Sequence, residues 1–234
     1  SKIVLTYCDH HIANPEIKIL RDLYKELFKI SDHIIYPTET LRDLSNNHIP
    51  HTAVTHIIKD PWHIREESQY LKRTGNEPWK IVWFGSNKNL LYLLRLLPKL
   101  LSSKILKDEY ELTILGSRYS SAQASELIPR LRDVFNRWTF RLVTWNPSDQ
   151  PGQLERELKR AHISLIPSDP TDPLKQGISH NRIVDALRSG CLPIASPLKS
   201  YQELSKISVL GNDFEHLLFL ATKEYARLIS KHSF

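Results

Sequence analysis

The sequence predicts an α/β protein: a doubly wound, mostly parallel sheet, preceded by part of a second α/β domain. Short apolar runs alternate with amphipathic helical patterns almost from end to end, as strands and their covering helices do in parallel sheets. That alternation stops over residues 59–78, a polar stretch carrying Pro61 and Pro78, and then restarts sharply. At 234 residues, 41% apolar and 25% charged, the chain has the length of one large domain, or of one domain plus part of another.

The elements follow in order. KIVLT reads as a strand, and in PEIKILRDLYKELFKI the residues Ile17, Leu20, Tyr24, Leu27 and Phe28 recur at helical spacing. HIIY is a second strand, Thr38 to Ser45 a helix, and VTHII a third strand. The expected organisation is therefore a partial N-terminal domain over 1–60, a linker over 61–78 with room for one short helix, and a second domain over 79–234. Its strands are KIVWF (80–84), ELTIL (111–115), FRLVT (140–144), ISLIP (163–167), LPIA (192–195) and ISVL (207–210). Between them lie LLYLLRLLPKLL, ASELIPRLRDVF, LERELKRA and NRIVDALRSG, and DFEHLLFLATKEYARLI closes the chain. Six such strands complete a doubly wound sheet, whereas three strands in about sixty residues make half a domain.

Composition removes several classes of function. No apolar run has the length to span a bilayer, and SKIVLTYCDHH is not a signal peptide. Two cysteines, Cys8 and Cys191, form no disulfide framework, so free thiols in a reducing, cytoplasmic setting are expected. With no methionine, the chain is expected to be processed or a piece of something longer. The net charge of +6, from 32 basic and 26 acidic residues, suits a phosphate-rich ligand or an anionic membrane surface. The basic residues are scattered and no nucleic-acid motif is present, so a nucleic-acid partner is not expected. Neither G-x-G-x-x-G nor a P-loop occurs. LLYLLRLLPKLLSSKIL reads as a sheet-covering helix, with a membrane-surface helix as the alternative.

In open parallel sheets ligands bind beyond the carboxyl ends of the strands. There the chain places Gly85-Ser86, Gly116-Ser117-Arg118, Trp145-Asn146, and the loop from Pro167 to Lys175. Glycine lets a backbone approach a ligand, and Ser or Asn caps the next helix or leaves its N–H groups to an anion. In SHNRIVDALRSG, Ser179 is the expected N-cap, with His180, Asn181 and Arg182 in the first turn. Ile183, Val184 and Leu187 form the apolar stripe, while Asn181, Asp185 and Arg188 share the opposite face. This is either a capped helix with a solvated face or a seat for a nucleoside diphosphate, with the phosphates on the helix N-terminus and Arg182 and the ribose on Asp185. Asp9-His10-His11 follows the first strand, which makes His10 and His11 candidate catalytic bases or acceptor contacts. Asp169 and Asp172 are misspaced for a metal motif, and no metal site is expected.

The run ISLIPSDPTDPLKQGISHNRIVDALRSGCLPIASPLKSYQEL resembles the donor-site signature of GT-B glycosyltransferases of the glycosyltransferase group 1 (family 4-like) type. WFGSNKNL, LTILGS, LVTWNP and SDHIIYPTETL extend the resemblance over nearly the whole chain. It implies a Rossmann-like C-terminal domain that holds a nucleotide sugar, UDP-linked by family frequency, and an acceptor-side N-terminal domain. It also implies ribose contact at Asp185, diphosphate contact at Ser179, His180, Asn181 and Arg182, and phosphate loops at Gly85, Ser86 and Arg118. Trp145 and Asn146 would frame the base, and Lys175 would add a phosphate or sugar contact. The family's first acidic residue, eight before its second, falls here on Gly177.

The expected activity is sugar transfer to a glycan or lipid-linked acceptor in polysaccharide biosynthesis. No cofactor or metal is required, since the nucleotide sugar is the substrate. Peripheral membrane association is a further expectation. The alternative is a non-catalytic nucleotide-sugar-binding or interaction module of a larger assembly.

Overall fold

The computed structural model describes residues 2–13, 17–64, 67–117, 137–146 and 152–232. In chain order the first elements are β1 (Val4–Thr6), α1 (Lys18–Ile30), β2 (His33–Tyr36), α2 (Glu39–Asn46) and β3 (Val54–Ile57). Then come β4 (Trp79–Gly85), α3 (Asn87–Leu101), β5 (Tyr110–Gly116), β6 (Trp138–Thr144), α4 (Gln153–Lys159) and β7 (Ile163–Ile166). The last are α5 (Asn181–Arg188), β8 (Leu192–Ala195), α6 (Lys199–Gln202), β9 (Val209–Leu210), α7 (Phe214–Lys223) and α8 (Tyr225–His232).

These form two compact units that interleave along the chain. One comprises Ser1–Pro61, Asp169–Asn181 and Pro197–Leu204, and the other Trp62–Ser168, Arg182–Ser196 and Ser205–Phe234. Consecutive blocks were expected; instead the loop after β7 and the turn holding α6 fold with the first sixty residues.

In the first unit β1, β2 and β3 pair in parallel in that order, with Leu5 beside Ile34 and Ile34 beside Thr55. Leu5, Tyr7, Ile12, Phe28, Ile34, Tyr36, Leu41 and Ile49 make its core. Tyr7 sits edge-on to Tyr24 and Phe28, with ring centroids 5.0 and 5.1 Å away. Thr38, expected inside the helix, instead caps α2, its hydroxyl accepting from the Leu41 N–H at 3.0 Å.

In the second unit the strand order is β6-β5-β4-β7-β8-β9, and every pairing is parallel. This is the doubly wound order, with β4 and β7 adjacent where the winding reverses. Alternation along β4 feeds both faces: Trp79, Ile81 and Trp83 pack with α3, while Val82 and Phe84 join Leu115, Leu154, Leu158 and Ala186. Leu90, Leu93, Leu97 and Leu100 of α3 are fully buried, which is the sheet-covering helix expected of that run. The strands predicted for both regions are present, and the helix predicted in ASELIPRLRDVF lies outside the described residues. Among the described residues no helix is long and apolar enough to cross a membrane.

The stretch expected to be a linker is packed from Trp62 onward as part of the second unit, and its described residues form no helix. Arg188 donates to the Ile64 carbonyl at 2.8 Å and accepts through its own carbonyl from the Ser68 N–H at 2.8 Å. Gly190, at φ +72°, lies so close under this strap that a β-carbon would fall 2.2 Å from the Gln69 carbonyl oxygen.

Candidate functional site

The carboxyl end of β4 and helix α5 converge within the second unit. Arg182, in the first turn of α5, lays its guanidinium carbon 5.5 Å from the Phe84 ring centroid and 5.8 Å from that of Trp83. A β-carbon at Gly85 would lie 3.6 Å from that guanidinium, an ordinary van der Waals distance, so Arg182 lies directly over the Gly85 backbone at the strand end. Ser86 is exposed and begins α3 without a side-chain capping bond. Gly85 and Arg182, separate in the sequence, are thus brought together. Arg118 lies outside the described residues.

Asp185 is one turn further along α5 and only 1% exposed. Its Oδ1 accepts from the His63 and Ile64 backbone N–H groups at 2.8 and 3.2 Å, and its Oδ2 pairs with His63 Nδ1 at 2.9 Å. The His63 ring is edge-on to Trp145, with centroids 5.9 Å apart. Trp145 follows β6, its N–H bound to the Gly116 carbonyl. Asn146 N–H donates to Gln153 Oε1 at 3.0 Å, while Gln153 Nε2 donates to the Thr144 carbonyl at 2.9 Å. Sequence reasoning named Asp185, Trp145 and Asn146 but missed His63. The one signal was its place just after the domain boundary, in a stretch without periodicity.

The remaining predicted residues lie in the first unit. Ser179, expected as the N-cap with His180 in the first turn, lies two residues before Asn181, where α5 begins; its hydroxyl accepts from the Asn181 N–H at 3.3 Å, and Asn181 Nδ2 donates to the Pro61 carbonyl at 3.3 Å. His180 is 4% exposed, with Nε2 at 2.8 Å from the Ser200 carbonyl and 3.4 Å from Glu203. Burial lowers its pKa, opposed by the Ser200 carbonyl and Glu203, and the Ser200 bond ties the ring to α6. Lys175 closes the turn Pro173–Lys175, which packs against the turn His11–Ala13. His11 stacks on Tyr24 at 5.0 Å. His10 is 2% exposed, and burial, then His48 and His11, push its pKa down to about 4, which makes it a weak base at neutral pH. Gly177 stands where the family's first acidic residue falls, and a β-carbon there would lie 2.8 Å from Leu41 Cδ1 and 3.0 Å from Leu41 Cα. Its carbonyl accepts from the Thr38 hydroxyl at 3.2 Å. Among the described residues no cluster of three or more His, Cys, Asp or Glu could hold a metal ion.

No protein-family model matches the sequence, and no curated protein matches it. Solved structures do. An α,α-trehalose-phosphate synthase (UDP-forming) from Burkholderia vietnamiensis matches with a TM-score of 0.66 at 12% identity, over 99% of this chain and 64% of that one. The sucrose-phosphate synthase of Thermosynechococcus elongatus matches at 0.60 and 12%, over 98% and 59%. The pneumococcal O-GlcNAc transferase GtfA, solved with UDP and GlcNAc, matches at 0.58 and 12%, over 97% and 45%. The chain has the GT-B glycosyltransferase fold. It spans about three fifths of the length of the first GT-B structures it matches.

In GT-B terms the second unit is the Rossmann-like sheet expected from the sequence. Within it the structure gathers Gly85 and Arg182 at one strand end, and Trp145 and Asp185 around His63.

Proposed function

We propose that this protein is a glycosyltransferase that moves a sugar from a nucleotide-sugar donor, UDP-linked by preference, to a glycan or lipid-linked acceptor in polysaccharide biosynthesis. The observation that carries this reading is Arg182 reaching over the bare Gly85 backbone, at the carboxyl end of the central strand of a GT-B sheet. A guanidinium is a bidentate partner for a diphosphate, and the first-turn N–H groups of α5 add partial positive charge. Both stabilise the charge that grows on the departing diphosphate as the glycosidic bond breaks. The uridine preference draws on two GT-B neighbours, one described as UDP-forming and one solved with UDP. Ser86, Arg118 and Asp185 remain proposed donor contacts, Lys175, Ser179, His180 and Asn181 of the first unit remain separately proposed phosphate or sugar contacts, and His10 and His11 remain proposed acceptor-side residues.

The test is release of UDP from UDP-glucose, UDP-galactose and UDP-GlcNAc, with and without added glycans. Turnover that falls roughly 100-fold in Arg182→Ala supports the reading. The second reading, a binding module without turnover, draws on Gly177, because Leu41 fills the space an acidic side chain would need. Nucleotide binding with no turnover decides for the module, and no binding by a folded sample overturns both.

A further inference from the structure

Asp185 is the residue the family resemblance pairs with ribose, yet in this fold its carboxylate is turned to the protein's own chain. Both oxygens already accept N–H bonds from His63 and Ile64, and the side chain is 1% exposed. Its partner faces outward: the His63 side chain is 54% exposed. A carboxylate oxygen only accepts, so His63 Nδ1 donates to Asp185 and Nε2 is left as the ring's outward polar atom. Among the described residues Nε2 has no hydrogen-bond partner. The ring stands edge-on to Trp145, on the loop that follows β6 at the ligand-binding end of the sheet.

The clamp does more than hold the strap. The His63 and Ile64 N–H groups on Asp185, together with Arg188 on the Ile64 carbonyl, already fix the backbone. The additional Nδ1 bond, with the edge-on Trp145 ring, orders one exposed imidazole at the cost of its rotamer freedom. Such an arrangement aims a polar ring nitrogen outward.

We propose that His63 is the nucleoside-contacting residue of this site: its Nε2 hydrogen-bonds a ribose hydroxyl of the bound nucleotide, and Asp185 is the positioning residue behind it. The inference rests on the nucleotide-sugar reading above. It deepens that reading by assigning the ribose contact to a residue outside the family motif, one that carries the function of the buried carboxylate outward.

Calorimetric titration of UDP, GDP and ADP, each with its 2′-deoxy and 3′-deoxy forms, tests it. The wild-type chain should prefer the ribonucleotide over one deoxy form by roughly five- to tenfold, the worth of one hydrogen bond. His63→Asn keeps an N–H for Asp185 but has nothing at the Nε2 position, and should bind the ribo and deoxy forms alike. His63→Gln, which places an amide near Nε2, should regain part of the preference. A structural role alone would lower the melting temperature of these variants without touching the preference. If His63→Asn unfolds, the same comparison in His63→Leu decides: full wild-type discrimination with unchanged affinity for both forms, with no polar group left at the Nε2 position, overturns the inference. Nucleotide binding without ribose preference in the wild type also overturns it and leaves the donor-site reading standing. Absence of any nucleotide binding overturns both.

Discussion

Gly177 and Asp185, eight residues apart, are treated in opposite ways by their surroundings. Gly177 is held against α2 so closely that any side chain meets Leu41 at 2.8–3.0 Å. Gly177→Ala should therefore cost about 1–3 kcal/mol in a urea titration, as overpacking does. Gly177→Glu should cost more and return no transferase activity. A tolerated Gly177→Glu with increased turnover would show that the position is catalytic. Asp185 is a buried acceptor for three N–H groups. Asp185→Ala leaves the buried Ile64 N–H without its partner, and should destabilise by about 2–3 kcal/mol as well as weaken nucleotide binding. Unchanged affinity in that variant would remove Asp185 from the donor site altogether.

At the scale of the element, α5 shows what the sequence could and could not disclose. Its periodicity placed Ile183 and Leu187 inside, and both are buried, while Val184 is only half-buried. The polar face was equally legible: Asn181, Asp185 and Arg188 do share one side of the helix. What that face binds was not legible, because its partners, Pro61, His63 and Ile64, lie more than a hundred residues earlier, 122 in the case of His63. Periodicity reports the face a helix buries, and it carries nothing about which distant backbone crosses the other face. The strap itself has no apolar period, so it reads as a loop even though Gly190 leaves room for only a bare backbone beneath it. Arg188→Ala removes the bonds to Ile64 and Glu67 and the stacking on Trp62. Amide exchange over residues 62–69 should then accelerate about tenfold or more while β4 stays protected. Unchanged exchange would mean that Asp185 and the backbone bond from the Ser68 N–H to the residue 188 carbonyl hold the strap without the Arg188 side chain.

For the whole molecule, the strands and their doubly wound, parallel arrangement were readable in the sequence, but the interleaving of the two units was not. Loops after strands carry no pattern that says which unit they fold with, so the turns around Gly177 and Ser200 joined the first unit unannounced. Two buried histidines also give the fold a dependence on acidity. His10 and His162 are each pushed down to about 4, first by burial and then by neighbouring cationic groups. Both are neutral when folded at neutral pH and protonate at about 6.5 once unfolded. The unfolded state therefore binds more protons between those values: stability is full above pH 6.5 and falls as the pH drops toward 4. The loss is about 1–3 kcal/mol for each histidine. His162→Gln should flatten that part of the stability profile, and a flat wild-type profile between pH 7 and 4 would contradict the assignment.

The central claim is that the carboxyl end of the GT-B sheet, with Arg182 over Gly85, seats the diphosphate of a nucleotide sugar. Calorimetric titration of UDP, GDP and their sugar conjugates into the wild type and Arg182→Ala addresses it directly. Saturable binding of at least one nucleotide by the wild type is predicted, weakened about tenfold or more by the substitution. A folded wild type that binds none of them, or an Arg182→Ala variant that binds equally well, would contradict it.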